Sequence, residues 1–231
     1  MNFDDIIKNI KLLYDPHNVE GMARYGINPR DNYGVSIKDL RSMAKKIGRD
    51  HGLAVRLWAS GIRDARLLAT LVAESGELTS EEAEEMVKGI DSWDVCDGFC
   101  MNLVRHTDFA YSKAVEWSSR GPEFEKRAAF SLMSTLAVSD KEASDSKFEE
   151  FLQLIEIASM DERNYVRKAV NWALRSIGKR NPQLNKKALK IARKLARSEN
   201  ASARWVGRDA VKELESGPVR LRLARKQQKR I

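Results

Sequence analysis

Apolar residues recur along this chain at steps of three and four, and no stretch alternates with period two. That rhythm predicts helices and no sheet, so the fold class is all-α. Candidate helices fall near 3–14, 17–25, 36–50, 52–59, 62–74, 80–88, 92–106, 108–118, 123–138, 145–158, 163–179, 182–197 and 199–215. Pro16, Pro29, Pro122, Pro182 and Pro218 all stand at proposed starts or gaps, where the missing N–H breaks no helical hydrogen bond. The run Asp91-Ser92-Trp93-Asp94 reads as an N-terminal cap, with Asp91 and Asp94 favouring a capping role. Cys96 and Cys100 lie four apart on the same predicted helix. That is poor geometry for a disulfide and too few ligands for zinc, so both are expected to be buried thiols.

Short polar loops join these helices, which suggests pairs stacked side by side. Two-helix units of roughly 35–45 residues match degenerate HEAT spacing. The expected architecture is a HEAT-like repeat solenoid of antiparallel helix pairs with a concave basic face, one domain over residues 1–217. The basic tail 218–231, PVRLRLARKQQKRI, shows no obvious core stripe, and a final helix and a flexible arm are both open for it.

The charge is uneven. Residues 1–162 carry 20 Lys/Arg against 29 Asp/Glu, and residues 163–231 carry 21 against 4, for net charges of −9 and +17. Such a terminal field attracts a polyanion, of which nucleic acid is the commonest. In 163–179, Arg167, Lys168, Arg175 and Lys179 fall on or near one polar side, while Val166, Ala169, Val170, Ala173 and Leu174 face a neighbour. Arg180, Arg204, Arg208 and Lys212 extend the same candidate DNA-binding set. No apolar run approaches the roughly 20 residues of a membrane span, and the acidic start lacks a signal-peptide core. A cytoplasmic or nucleoid-associated monomer without membrane contact is expected.

Trp93 and Asp97 are four apart on a predicted helix and so share a face. Trp172 lies mid-helix within the basic segment. Taken singly each has a plain explanation, since Trp is usually core and an acid near a helix start is often a dipole partner. Trp58 and Trp117 read as core, and Trp205, flanked by Arg204 and Arg208, fits either reading. His17, His51 and His106 have no metal-ligand spacing, and no nucleotide loop or nucleophile elbow occurs. No metal and no cofactor are implied.

The stretches DSWDVCD, FEKRAAFSLMSTLA and YVRKAVNWALRSIGKRNP, in that order, resemble the AlkD-type DNA alkylation repair glycosylases. YGVSIKDLRSMAKKIGRDHGLAVRLWASGIRDARLLA is similar to that family's N-terminal half, and the resemblance spans most of residues 21–215. It implies a HEAT-like fold holding double-stranded DNA with alkylated bases, and hydrolysis of the N-glycosidic bond of N3- or N7-alkylated purines to leave an abasic site. Carried over by motif, Asp97 is the catalytic carboxylate and Trp93 and Trp172 are aromatic walls beside the lesion. Arg127 is a nearby cleft arginine, with Lys126 its adjacent competitor, and Arg175 continues the phosphate-contacting surface. No lysine is placed by motif for a Schiff base, so strand cleavage is not expected. Two other readings stand beside this one. A non-catalytic HEAT-repeat protein would bind damaged or structured DNA, and a protein-interaction scaffold would follow from fold alone.

Overall fold

The computed structural model describes residues 1–228, and it is helical throughout. Fourteen α-helices are described: α1 Phe3–Leu12, α2 Pro16–Arg24, α3 Ile37–Ile47, α4 His51–Ala59, α5 Arg63–Val72, α6 Ser80–Lys88, α7 Trp93–Asn102, α8 Ala110–Trp117, α9 Glu123–Ser139, α10 Asp145–Ala158, α11 Asn164–Gly178, α12 Pro182–Leu195, α13 Ala201–Leu214 and α14 Gly217–Gln228. All thirteen expected helices are present. The segment 92–106 divides into α7 and a short 3-10 turn at Val104–His106. No described helix is long and apolar enough to cross a membrane.

Local chemistry sets the helix starts. The side chains of Asn2, Asp15, Ser36, Asp50, Thr79, Asn181 and Asn200 each accept a backbone N–H from the first turn, satisfying donors that the helix leaves orphaned. Pro16 and Pro182 occupy the first helical positions.

The chain forms two compact units, Met1–Ala110 and the residues from Tyr111 onward. In the first, α5 is central: it packs on α3, α4 and α7, and α1 rests on α4 and α5. Leu57, Leu68, Phe99 and Cys100 are fully buried there, and the Trp58 ring lies 5.3 Å from that of Phe99. Both cysteines are buried and take part in no disulfide, and Trp58 is core, as expected.

The second unit has two layers. Helices α9, α11 and α13 lie side by side in one, and α10 and α12 form the other. Every residue of α9 from Arg127 to Ala137 is buried, the signature of a helix enclosed on all sides. Small residues Ala128, Ala129, Ser131, Ser134 and Ala137 are among them, and Ser134 meets Ser176 of α11 at 2.8 Å. The five residues of 163–179 expected to face a neighbour are all buried, and Trp117 is fully buried.

The basic tail is a final helix. α14 packs on α12 and α13, with Val219 and Leu223 buried one turn apart. A core stripe therefore exists, but two residues long and narrower than the pattern of the other helices; residues 229–231 of the predicted tail lie outside the described residues.

One close approach governs the packing of α13 on α12. A Cβ on Gly207 would sit 2.2 Å from the Ala196 nitrogen and 2.5 Å from the Ala192 oxygen. Both are backbone atoms and cannot swing aside. Gly207→Ala is therefore expected to cost about 3 kcal/mol, the upper part of the overpacking range, whereas Gly121→Ala, with open space around it, should stay within about 0.5 kcal/mol. Denaturant titration followed by circular dichroism checks the pair.

Candidate nucleic-acid interface

In the first unit, the α7 N-terminus is held by a buried polar chain. Asp64, fully buried, accepts the backbone N–H of Tyr33 at 2.7 Å and of Val35 at 3.0 Å. Arg63 pairs with Asp64 at 2.9 Å and reaches Asp94 through Nε at 2.8 Å and Nη2 at 2.6 Å. The Ser92 hydroxyl donates to the other Asp94 oxygen. Asp91 accepts from Asn28 at 2.6 Å and lies 3.6 Å from Arg66. Ser92 is the N-cap residue but makes no side-chain capping bond. Asp91 and Asp94 thus serve arginines of α5, not orphan amides as the sequence suggested, because a guanidinium is the stronger partner.

This anchoring orients the rest of α7. The Trp93 indole donates from Nε1 to the Tyr25 carbonyl at 3.1 Å and is half-buried. Asp97 lies one turn further along and is also half-buried. The next residue, Gly98, sits where a Cβ would come 2.9 Å from Leu67, so α7 lies tight against α5 at the level of Asp97.

The second unit carries Arg127, Trp172 and the basic set. Arg127 is 5% exposed and donates to the Tyr165 carbonyl at 2.8 Å, tying α9 to the first turn of α11. Its competitor Lys126 pairs with Asp161 at 3.0 Å. Trp172 is half-buried and lines a cavity of about 370 Å³ with Ala137, Val138, Lys141, Lys179 and Arg222 among its walls. Among the described residues, no carboxylate lines it. The sequence reading missed Lys141 and Arg222, one on a loop and the other in the undivided tail. The i, i+4 pair Arg222 and Lys226, alternating with Val219 and Leu223, was the available signal.

The basic residues differ in what holds them. The Arg180 guanidinium lies 4.2 Å over the Phe148 ring and donates to the carbonyls of Ala137, Asp140, Lys141 and Ala143. With its donors occupied, it braces the loop between α9 and α10 and brings charge but no free fork to the Trp172 cavity. Arg204 likewise donates to the Ser198 and Glu199 carbonyls at 2.7 and 3.0 Å. Arg175 and Lys179 both bind Glu213. Burial opposes that carboxylate, but hydrogen bonds from Lys179 and Arg175 prevail and hold its pKa below the usual value. Arg175 also lies 3.5 Å from Asp209. Lys168, Arg208 and Lys212 are exposed and have no partner among the described residues.

Trp205, left open by the sequence, is 38% exposed and carries the Arg167 guanidinium 4.8 Å above its ring. It lines a shallow hollow with Arg204, Arg208, Asp209 and Lys212. Stacking on the indole leaves the Nη edge of the guanidinium for a phosphate, while its Nε is buried.

An all-helical repeat fold with a basic C-terminal layer defines a class, and similarity to known proteins supplies the family. A family model described as DNA alkylation repair enzyme matches residues 6–214, and the chain belongs to that family. It is 23% identical over 201 residues to the uncharacterized protein Lin0241 of Listeria innocua, covering 85% of this chain and 88% of that protein, and equally to Lmo0209 of Listeria monocytogenes. A solved structure described as a new family of proteins related to the HEAT-like repeat DNA glycosylases, with affinity for branched DNA structures, superposes with a TM-score of 0.79 at 21% identity, covering 96% of each chain. The fold is therefore HEAT-like.

One ion cluster supports the start of α11. Hydrogen bonds from Arg163 hold the Asp161 carboxyl far below the usual carboxylate range against the opposing effect of burial, and Lys126 adds to this. A depressed pKa contributes stability that is complete above the unfolded value of about 3.9 and is lost as pH falls through the folded value. Asp161→Asn should therefore lower stability by about 2 kcal/mol at pH 7. Melting curves of the two proteins should keep a constant gap from about pH 8 to 5 and converge below about pH 4.

Proposed function

We propose that this protein is a monofunctional DNA glycosylase that hydrolyses the N-glycosidic bond of N3- or N7-alkylated purines in duplex DNA. The observation that carries this reading is on α7. Asp97, the second acid of the W-D-x-x-D element, is half-buried one turn from Trp93 on a helix whose start is anchored by Arg63 through Asp94, and it stands at the position the family resemblance assigns to the reacting group. Family membership supports it as well.

The chemistry asks little of the protein. An N-alkylated purine is already cationic and leaves as a neutral base, so no general acid is required. Positive charge develops on the deoxyribose, where a carboxylate stabilises it and orients water for attack at C1′. In this reading Asp97 fills both roles. The faces of Trp93 and Trp172 pack against sugar and stabilise cationic character, worth about 0.5–2 kcal/mol depending on desolvation. Arg127, tied to the Tyr165 carbonyl, orients the start of α11. Arg167, Lys168, Arg175, Lys179, Arg208 and Lys212 contact phosphates, and Arg180 and Arg204 add field and support their loops. The protein acts as a monomer on cytoplasmic, nucleoid DNA, with residues 1–217 serving as one repeat domain.

A second reading rests on the structural neighbour, which is described by its affinity for branched DNA. On that reading the same basic layer binds structured DNA and excises nothing.

Incubation with methylated duplex DNA, with quantification of released 3-methyladenine and 7-methylguanine, decides between them. The wild type should release base, and Asp97→Asn should slow release about 10²–10³-fold with duplex affinity retained. Tight DNA binding by the wild type without release of either base would leave the second reading.

A further inference from the structure

The helix α12 and the turn after it present a second basic surface that the glycosylase reading does not use. Lys186, Lys187, Lys190, Arg193, Lys194 and Arg197 recur at three- and four-residue steps, and all are exposed. The opposite stripe, Leu184, Ala188, Ala192 and Leu195, is buried. This face belongs to the α10–α12 layer, whereas the basic residues of α11 and α13 belong to the other layer of the same unit.

Two features separate it from an ordinary solvated face. Between residues 182 and 198 there is no Asp or Glu, so the i, i+3 and i, i+4 neighbours along the stripe are like charges that repel. A solvent-facing helix normally intersperses acids there. Neighbouring elements relieve three of the six: Lys187 meets Glu149 at 2.5 Å, Lys194 meets Glu156 at 2.5 Å, and Arg193 meets Glu215 at 2.6 Å. Lys186, Lys190 and Arg197 have no partner among the described residues. They lie along one line about 17 Å long, at a rise of about 1.5 Å per residue.

We propose that this face of α12 is a second binding site for a duplex DNA backbone, so that one protein molecule holds two DNA segments. A duplex carries about one negative charge per 1.7 Å of its axis, so a straight line of unpaired cations faces several phosphates at once. The stripe contains no aromatic or large aliphatic side chain, which a helix seated on a lipid surface would insert. The site needs no base contacts, and it fits two arms of a branched DNA or two separate duplexes. The proposal rests on the DNA-binding part of the function proposed above and not on base excision.

The test uses the full chain and the triple variant Lys186→Gln, Lys190→Gln, Arg197→Gln, whose changed groups are exposed and should leave the melting temperature unmoved. Two duplexes labelled with a donor and an acceptor fluorophore are mixed with protein at about 0.15 M salt, where exposed charges further apart than about 8 Å are largely screened. Wild type should bring the duplexes together, and the variant should lose most of that signal. Single-duplex affinity should stay within about twofold, while four-way-junction affinity falls at least about tenfold with a salt slope reduced by about 2–3, near 0.9 per lost phosphate contact. Absence of bridging by the wild type, equal bridging by the variant, or a parallel loss of single-duplex affinity would each overturn the proposal. Binding to phosphatidylglycerol vesicles through these residues, without bridging of DNA, would also overturn it. Base release by the wild type is read separately, so failure of the glycosylase reading and failure of this one are distinguishable.

Discussion

The constraint on which the second half of this protein depends is its own charge. Residues 163–231 carry a net +17, and a packed helical layer tolerates that only if the few carboxylates are well placed. Glu213 is shared by Arg175 and Lys179, Asp209 lies between Asn171 and Arg175, and Glu215 takes Arg193. Acids from earlier in the chain, Glu149 and Glu156, take Lys187 and Lys194, and loop carbonyls absorb Arg180 and Arg204. Each such contact tempers a cation's pull on an external polyanion without removing it. The cations left uncovered, on α11, α13 and α12, define where phosphate has most to gain.

The first unit solves a different problem, namely placing one helix end with precision. A buried carboxylate such as Asp64 is tolerable only when its lone pairs are used, and here two backbone amides and Arg63 use them. Because Arg63 also grips Asp94, the start of α7 is positioned by α5 and by the loop at 33–35 together. Trp93 adds a third tether through Tyr25. A side chain one turn later inherits that rigidity, which is what a preorganised electrostatic group requires.

Much of this was legible in the sequence, and the exceptions share a physical cause. Helix positions, the buried stripe of α11 and the core roles of Trp58 and Trp117 follow from periodicity, which local sequence encodes directly. The burial of Val219 and Leu223 was hidden because two apolar residues among the six cations of 218–231 make a weak stripe. That the donors of Arg180 and Arg204 are occupied was hidden because their partners are carbonyls, which carry no residue identity. The fates of Asp91 and Asp94 were misjudged for a related reason. Helix-end position predicts a cap, but Arg63 and Arg66, about thirty residues earlier, compete for the same oxygens and win on charge.

The proposed chemistry and the charge distribution agree in their demands. Loss of a cationic base needs only one anionic group near the sugar, so on the proposed reading the catalytic apparatus remains small, with Asp97 as that group and Trp93 as its indole neighbour. Recognition carries the greater burden, because a lesion that differs by one alkyl group offers little to grip. Affinity must then come from backbone contacts made before and during the search. On that reading the protein concentrates its cations on the helical layers of the second unit and takes its proposed reacting carboxylate, Asp97, from the acidic part of the chain. The partition of −9 and +17 between residues 1–162 and 163–231 follows that logic: the anionic group that faces a developing cation and the surface that faces a polyanion need opposite fields.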